Sequence, residues 1–259
     1  MHANPTTSGG RLYVGTSGWS YPHWAKGRFY PKGLKQGEWL GFLARHFPTV
    51  EVNSTFYRLP TEAVVRRWHG TVGSDFRFAV KLWRMITHRK RLRDCHRYLE
   101  DFFKVAAGFG RKRGPLLIQL PPSTHKDLDL LDDFLAELRA VIGRKKWRIA
   151  VEFRHASWCC DEATALLDRY RAALCLADMP RCPFTEPGLA DFVYIRRHGP
   201  GGRYRGRYSG EHISADARQI KRWLGQGKDV YVYYNNDVDG NAVDNAHQLL
   251  EALGRSPRG

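Results

Sequence analysis

The chain has 259 residues, 42% of them hydrophobic and 13% aromatic, enough to bury the core of one large domain and too apolar for disorder throughout. No run approaches the roughly 18 apolar residues of a membrane span, and Met1 to Gly10 lacks the basic-then-apolar order of a secretory signal, so a cytoplasmic protein with no membrane attachment is expected. Lys and Arg total 42 against 26 Asp and Glu, a net of +16 that suits polyanionic partners, nucleic acid above all, unless the arginine content only follows codon composition.

Short apolar, β-branched runs alternate with helical patterns along the chain. The first predicted strand is Leu12 to Ser17, followed by a helix over Gln36 to Phe47. Strand Val50 to Ser54 precedes helix Glu62 to Thr71, and strand Phe76 to Lys81 precedes helix Asp94 to Gly108. Next come Pro115 to Leu120 with helix Leu128 to Ile142, and Trp147 to Phe153 with helix Asp161 to Arg171. Strand Ala173 to Ala177 leads into a Pro-rich link (MPRCPFTEPG) too short for a full helix. Strands Phe192 to Arg197 and Val230 to Asn235 then carry helices Ala215 to Gly225 and Ala242 to Leu253. Such strand-then-helix repetition predicts an α/β, TIM-like (β/α)8 barrel, irregular around strands six and seven. An open doubly wound sheet is the alternative, but no G-x-G-x-x-G follows the first strand. One domain spans residues 11–253, with a loose head over 1–10 and a short tail over 254–259. The five cysteines form an odd set with no C-x-x-C pair and read as reduced thiols.

Charge is patterned. Lys81 to Arg113 holds eleven basic and three acidic residues, a net of +8, and a second cluster, RRHGPGGRYRGRYSG, starts at Arg196. Both begin at the end of a predicted strand, at the barrel end where such enzymes carry their chemistry, and so suggest an approach surface for an anion.

Barrel side chains alternate between the interior and the surrounding helices. Alternation sends Glu51 and Asn53 inward on strand two, and Glu152 and Arg154 inward on strand five. Ser17, Lys81, Gln119, Arg196, His198, Asn235 and Asp237 join the same inner set, near the C-terminal ends of their strands. Packing alone would prefer aliphatic residues there, because buried charge is costly unless paired. Two readings stay open: a functional site, or a self-neutralising network that only holds strand register.

The segments GTSGWSY (Gly15 to Tyr21), VEVNSTFYRLP (Val50 to Pro60), FRFAVKLWRMITH (Phe76 to His88), LLIQLPPS (Leu116 to Ser123), VEFRHASW (Val151 to Trp158), YIRRHG (Tyr194 to Gly199) and YVYYNND (Tyr231 to Asp237) resemble the DUF72, or YecE-like, family. The resemblance runs in order from Gly15 to about Leu253 and implies a TIM-like barrel with these segments around its C-terminal mouth. It implies no reaction, because the family is one of unknown function. One departure is Arg197, where an aromatic or aliphatic residue is expected; alternation turns it away from the interior.

The inner set constrains the chemistry. Glu51, Glu152, His198 and Asp237 offer ligands for a divalent metal, but Lys81, Arg154 and Arg196 would repel it, so no cofactor is assigned and a metal is not favoured. Asn235, Asp237, Asp239 and Gly240 match the early positions of a calcium loop, but Ala246 stands where a bidentate Glu is needed, and a turn into the last helix is expected instead. An anionic substrate fits better: Lys81, Arg154 and Arg196 to hold charge, Glu51 and Glu152 as acid and base, and His198 to shuttle protons. Ser17, Asn53, Gln119, Asn235 and Asp237 would orient it, while Trp19, Tyr21, Tyr57 and Trp158 would either stack on a ring or form a satellite core capping the barrel. No nucleophile is evident, since GTSG is not a G-x-S-x-G elbow. The leading expectation is an enzyme acting on a phosphate-containing substrate, nucleic acid or nucleotide-derived. A sugar-phosphate isomerase or lyase and a non-catalytic nucleic-acid-binding module are the alternatives.

Overall fold

Residues 9–179 and 186–255 are described by a computed structural model. Eight parallel strands lie side by side in chain order and β8 closes on β1: β1 (Leu12–Ser17), β2 (Thr49–Val52), β3 (Arg77–Lys81), β4 (Arg113–Gln119), β5 (Ile149–Glu152), β6 (Ala173–Ala177), β7 (Phe192–Arg197) and β8 (Asp229–Tyr234). Around them run α1 (Trp39–His46), α2 (Ser54–Tyr57), α3 (Glu62–Thr71), α4 (His96–Ala106), α5 (Leu128–Ile142), α6 (Asp161–Arg169), α7 (Gly210–Gly225) and α8 (Asn241–Ala252). The expected TIM-like barrel is therefore the fold. Among the described residues no helix joins β6 to β7, and residues 180–185 of the Pro-rich link, including Cys182, lie outside them. So does the predicted head, apart from Gly9 and Gly10. No helix of the described residues is long and apolar enough to cross a membrane.

Helix starts follow from local capping. The side chains of Thr61, Asp127 and Ser209 accept the free N–H groups of Val64, Leu130 and His212, satisfying donors at the first turns of α3, α5 and α7. Ser209 explains why α7 begins at Gly210 and not at Ala215. The predicted helix over Gln36 to Phe47 splits into a tight turn at Gln36–Glu38 and then α1.

Strand alternation sorts the barrel into two packed regions. Val14, Val50, Val52, Phe78, Val80, Ile118, Ile149, Val151, Val193, Ile195 and Val232 face the helices. Tyr13, Ala79, Leu117, Ala150, Ala173, Cys175, Phe192, Tyr194, Tyr231 and Tyr233 fill the axis. These side chains pack the axis, as in barrels of this type, and the strand ends beyond them form the two faces. Gly15 is set by closeness: β1 pairs it with Thr49, and a Cβ there would lie 2.2 Å from the Thr49 carbonyl oxygen.

Candidate active site at the barrel mouth

Above the tyrosine-rich core, the inward positions of the strands' C-terminal ends become charged. Arg196 on β7 crosses the axis to β2, where its Nε and Nη2 donate to Glu51 at 3.0 and 2.7 Å, and its Nη1 donates to Glu152 on β5 at 2.6 Å. Tyr194 donates its hydroxyl to Glu51 at 2.7 Å, and Arg154 donates Nε to Glu152. Glu51, Glu152 and Arg196 are at most 1% exposed. Burial pushes both glutamate pKa values up, but the arginines outweigh it and hold the two carboxyls below their ordinary range, Glu152 furthest.

This arrangement bears on three of the candidate roles. Arg196 has no access to a substrate, because its fork is spent on two carboxylates. Glu51 and Glu152 are likewise placed as counter-ions, each saturated by charged donors, which is the self-neutralising arrangement and not that of an acid–base pair. Nor do the four candidate metal ligands converge. Asp237 sits at the rim, its Oδ2 3.3 Å from His23 Nε2 and its carbonyl accepting from Trp24 Nε1 at 2.8 Å.

Lys81 is left over. Two arginines balance two glutamates, and no carboxylate among the described residues lies within 4.0 Å of its Nζ, which donates to the neutral Gln119 Oε1 at 2.8 Å and stands 4.0 Å from the centre of the Phe56 ring. Burial first, then Arg196, pushes the amine down to about 7, with Glu152 and Glu51 opposing only in part.

The rest of the mouth is built from loops. His198, fully buried, is 3.3 Å from Arg154 Nη2, 3.2 Å from the Asn235 amide and 3.6 Å from Glu152; burial and then Arg196 lower its pKa, so the ring is neutral near pH 7. Arg154 also donates Nη1 to the Tyr204 hydroxyl at 2.6 Å. Asp178, after β6, accepts from the His198 N–H at 2.8 Å and from the Tyr208 hydroxyl, tying the β7 loop to the barrel. Arg197 turns outward to Asp216 on α7, with contacts of 2.8 and 2.6 Å, as alternation requires.

Beside the axis, the loops after β1 and β2 meet α1 and α3 around a pocket of about 680 Å³. Trp19, Tyr21, Tyr57, Trp68, Leu40 and Arg67 line it, with Trp19 and Trp68 in edge contact at 5.1 Å between ring centres. Asn53 also lines it, and its buried Oδ1 has no hydrogen-bond partner; Ser17 Oγ, buried below Gly18, has none either. The predicted ring-stacking set thus divides: Trp19, Tyr21 and Tyr57 come together, whereas Trp158 does not join them. It is 1% exposed, stacks on Phe153 with centroids 4.5 Å apart, and donates Nε1 to the Thr124 carbonyl, so neither face is open. Arg67 and Trp68 went unnoticed because nothing in a helical EAVVRRWHGT pattern says which exposed face meets a loop; Tyr194 could have been found by alternation with Arg196.

The basic segment from Lys81 to Arg113 is spread along the barrel. The basic segment after β3 starts at the mouth but descends α4, and Arg111, Lys112 and Arg113 end at the opposite face, where β4 begins. There Arg11, Arg77, Arg113, Arg139, Lys146, Arg148 and Arg171 surround a concavity of about 830 Å³ that holds only Asp168, Asp191 and Asp229 in return. At the mouth end the exposed cations include Arg89, Arg91 and Arg93 of the loop after β3 and Arg203, Arg205 and Arg207 of the β7 loop.

The family model described as "Protein of unknown function DUF72" matches residues 13–259. The chain belongs to the DUF72 family. A DUF72 family protein from Thermotoga maritima, known from a crystal structure, superposes with a TM-score of 0.84 at 28% identity, covering 95% of this chain and 100% of that one. The UPF0759 protein YecE of Escherichia coli is 32% identical over 145 residues, 56% of this chain and 48% of YecE, so that match spans about half the length of that relative. The UPF0759 protein YunF of Bacillus subtilis is 25% identical over 274 residues, covering 93% of this chain and 94% of YunF. These likenesses carry the barrel and the family, and they carry no reaction.

Proposed function

We propose that the mouth and its aromatic pocket are the active site of an enzyme acting on an anionic, phosphate-bearing substrate, a nucleotide or a single strand of nucleic acid whose base enters the pocket. One observation carries this reading: Tyr57, 66% exposed, stands with Arg67 on a pocket otherwise walled by Trp19, Tyr21 and Trp68. Aromatic faces stack bases of any sequence, and a neighbouring guanidinium holds the phosphate chain. The partnerless Asn53 Oδ1 offers an acceptor for a ring N–H inside the pocket, and Arg203, Arg205 and Arg207 supply a cationic approach.

The test is binding of a fluorescent oligothymidylate at increasing salt. Base stacking is worth about 1–3 kcal/mol, so Tyr57→Ala is expected to weaken binding about tenfold, and Arg67→Gln to reduce the log–log salt slope by about one. Absence of binding at low salt, or binding indifferent to Tyr57, would overturn the reading. A small phosphorylated metabolite is the second reading, favoured by the near-complete burial of Lys81 and Arg154, which are 8% and 7% exposed. Competition of a mononucleotide against a sugar phosphate separates the two.

A further inference from the structure

Lys81 stands at the end of β3 on the floor of the mouth, and the groups around it define an unusual site for an ammonium ion. Arg196 and Arg154 are its cationic neighbours, Glu51 and Glu152 are already engaged by those arginines, and His88 approaches from the loop after β3. The Nζ keeps one neutral acceptor, Gln119 Oε1, and the face of Phe56. A guanidinium stays charged and binds anions bidentately, but both guanidinium groups at the axis are already engaged by carboxylates. A compact amine with no counter-ion, set among cations and against an aromatic ring, is the arrangement that makes lysine a nucleophile.

We propose that Lys81 forms an imine with its substrate, so that the molecule taken by the mouth carries an aldehyde or ketone in addition to its anionic group. The inference rests on the preceding reading only in placing the reacting end at the mouth. The Nζ lone pair adds to the carbonyl carbon while the C=O π pair moves to oxygen. The two amine protons then leave with that oxygen as water, and a C=N bond remains. No oxidant, reductant or outside acid is consumed. The lowered affinity of Lys81 for its proton fits this role, since about half of the amine is free at pH 7, against about 0.04% for an ordinary lysine.

The experiment is reductive trapping on the intact wild-type protein at pH 7. Dihydroxyacetone phosphate and, separately, pyruvate are supplied with cyanoborohydride, which reduces any imine to a stable secondary amine, and the labelled lysines are mapped by peptide mass. The expected result is labelling of Lys81 about 100-fold faster than any of the eleven other lysines of the chain, saturating with probe and rising with pH to a midpoint near neutrality. Labelling of Lys81 no faster than the surface lysines, or none, overturns the proposal. Oligothymidylate binding is measured on the same wild-type protein: trapping of Lys81 without oligonucleotide binding overturns the preceding reading alone, and oligonucleotide binding without trapping overturns this one alone.

Discussion

Arg196 shows what one side chain does when its charge is matched on both sides. Its guanidinium spans Glu51 and Glu152 within the axis, where neither glutamate touches water. Removing one partner of such a group leaves an uncompensated buried charge, which costs about 3–5 kcal/mol. Glu152→Gln is therefore expected to lower the unfolding free energy by that order at pH 7, measured by urea titration, whereas a glutamate serving only proton transfer would lose turnover and keep its stability. The pH dependence has a definite sign. Both carboxyls are held below their ordinary value of 4.5, so they contribute stability that is complete above about that pH and is lost as pH falls through the lowered folded values. The deficit of Glu152→Gln should accordingly shrink in acid, where the native carboxylate also becomes protonated.

The loop after β7 is the element that closes the mouth, and its backbone is drawn tight to do so. Gly199 adopts φ +93°, and a Cβ there would lie 2.3 Å from the Arg205 carbonyl oxygen. Tyr204, left-handed at φ +60°, returns its N–H to the His198 carbonyl at 2.5 Å and so presents its hydroxyl to Arg154. Strain of this kind persists only where surrounding contacts over-determine it; here Asn245 holds the backbone of Tyr208, and Asn236 holds the Gly206 carbonyl. Gly199→Ala is expected to cost about 1–3 kcal/mol and to release Tyr204 from Arg154. Gly210→Ala, with open space around its Cβ at the start of α7, is the comparison expected to melt with the wild type. Parallel thermal melts of the two variants check both.

At the scale of the whole molecule, part of the net charge of +16 gathers at the barrel end opposite the mouth. The concavity at the N-terminal ends of the strands gathers seven basic side chains, among which Arg148 pairs with Asp229 and Asp191 at 2.5 and 3.2 Å, while Lys146 and Arg171 are exposed. Exposed cations of this kind attract any polyanion in proportion to their number and are screened by salt. Lys146→Gln with Arg171→Gln is expected to bring the protein off a heparin column at lower salt without altering the Tyr57-dependent binding of an oligonucleotide. Equal loss in both assays would mean that nucleic acid binds at the far face and not at the mouth.

Much of this protein was legible before any tertiary contact. Alternation along each strand is local geometry, so the sequence by itself determined that Glu51, Lys81, Glu152, Arg154, Arg196 and His198 face inward at one end of an eight-stranded barrel, and that Arg197 faces out. Family motifs along the chain pointed to the same mouth. Which inward group meets which was not determined, because Glu51 and Arg196 lie 145 residues apart and are joined only by closure of the barrel. That pairing joins the two expected acid–base residues and two expected anion binders, Arg154 and Arg196, in a neutral cluster and leaves Lys81 unmatched. Tertiary packing likewise withdrew Trp158 into the core, brought Arg67 and Trp68 of α3 to the pocket, and carried Arg111, Lys112 and Arg113 of the basic segment after β3 to the opposite face. The periodicity of a strand or helix fixes a direction for each side chain, but charge and reactivity depend on the neighbours that folding supplies.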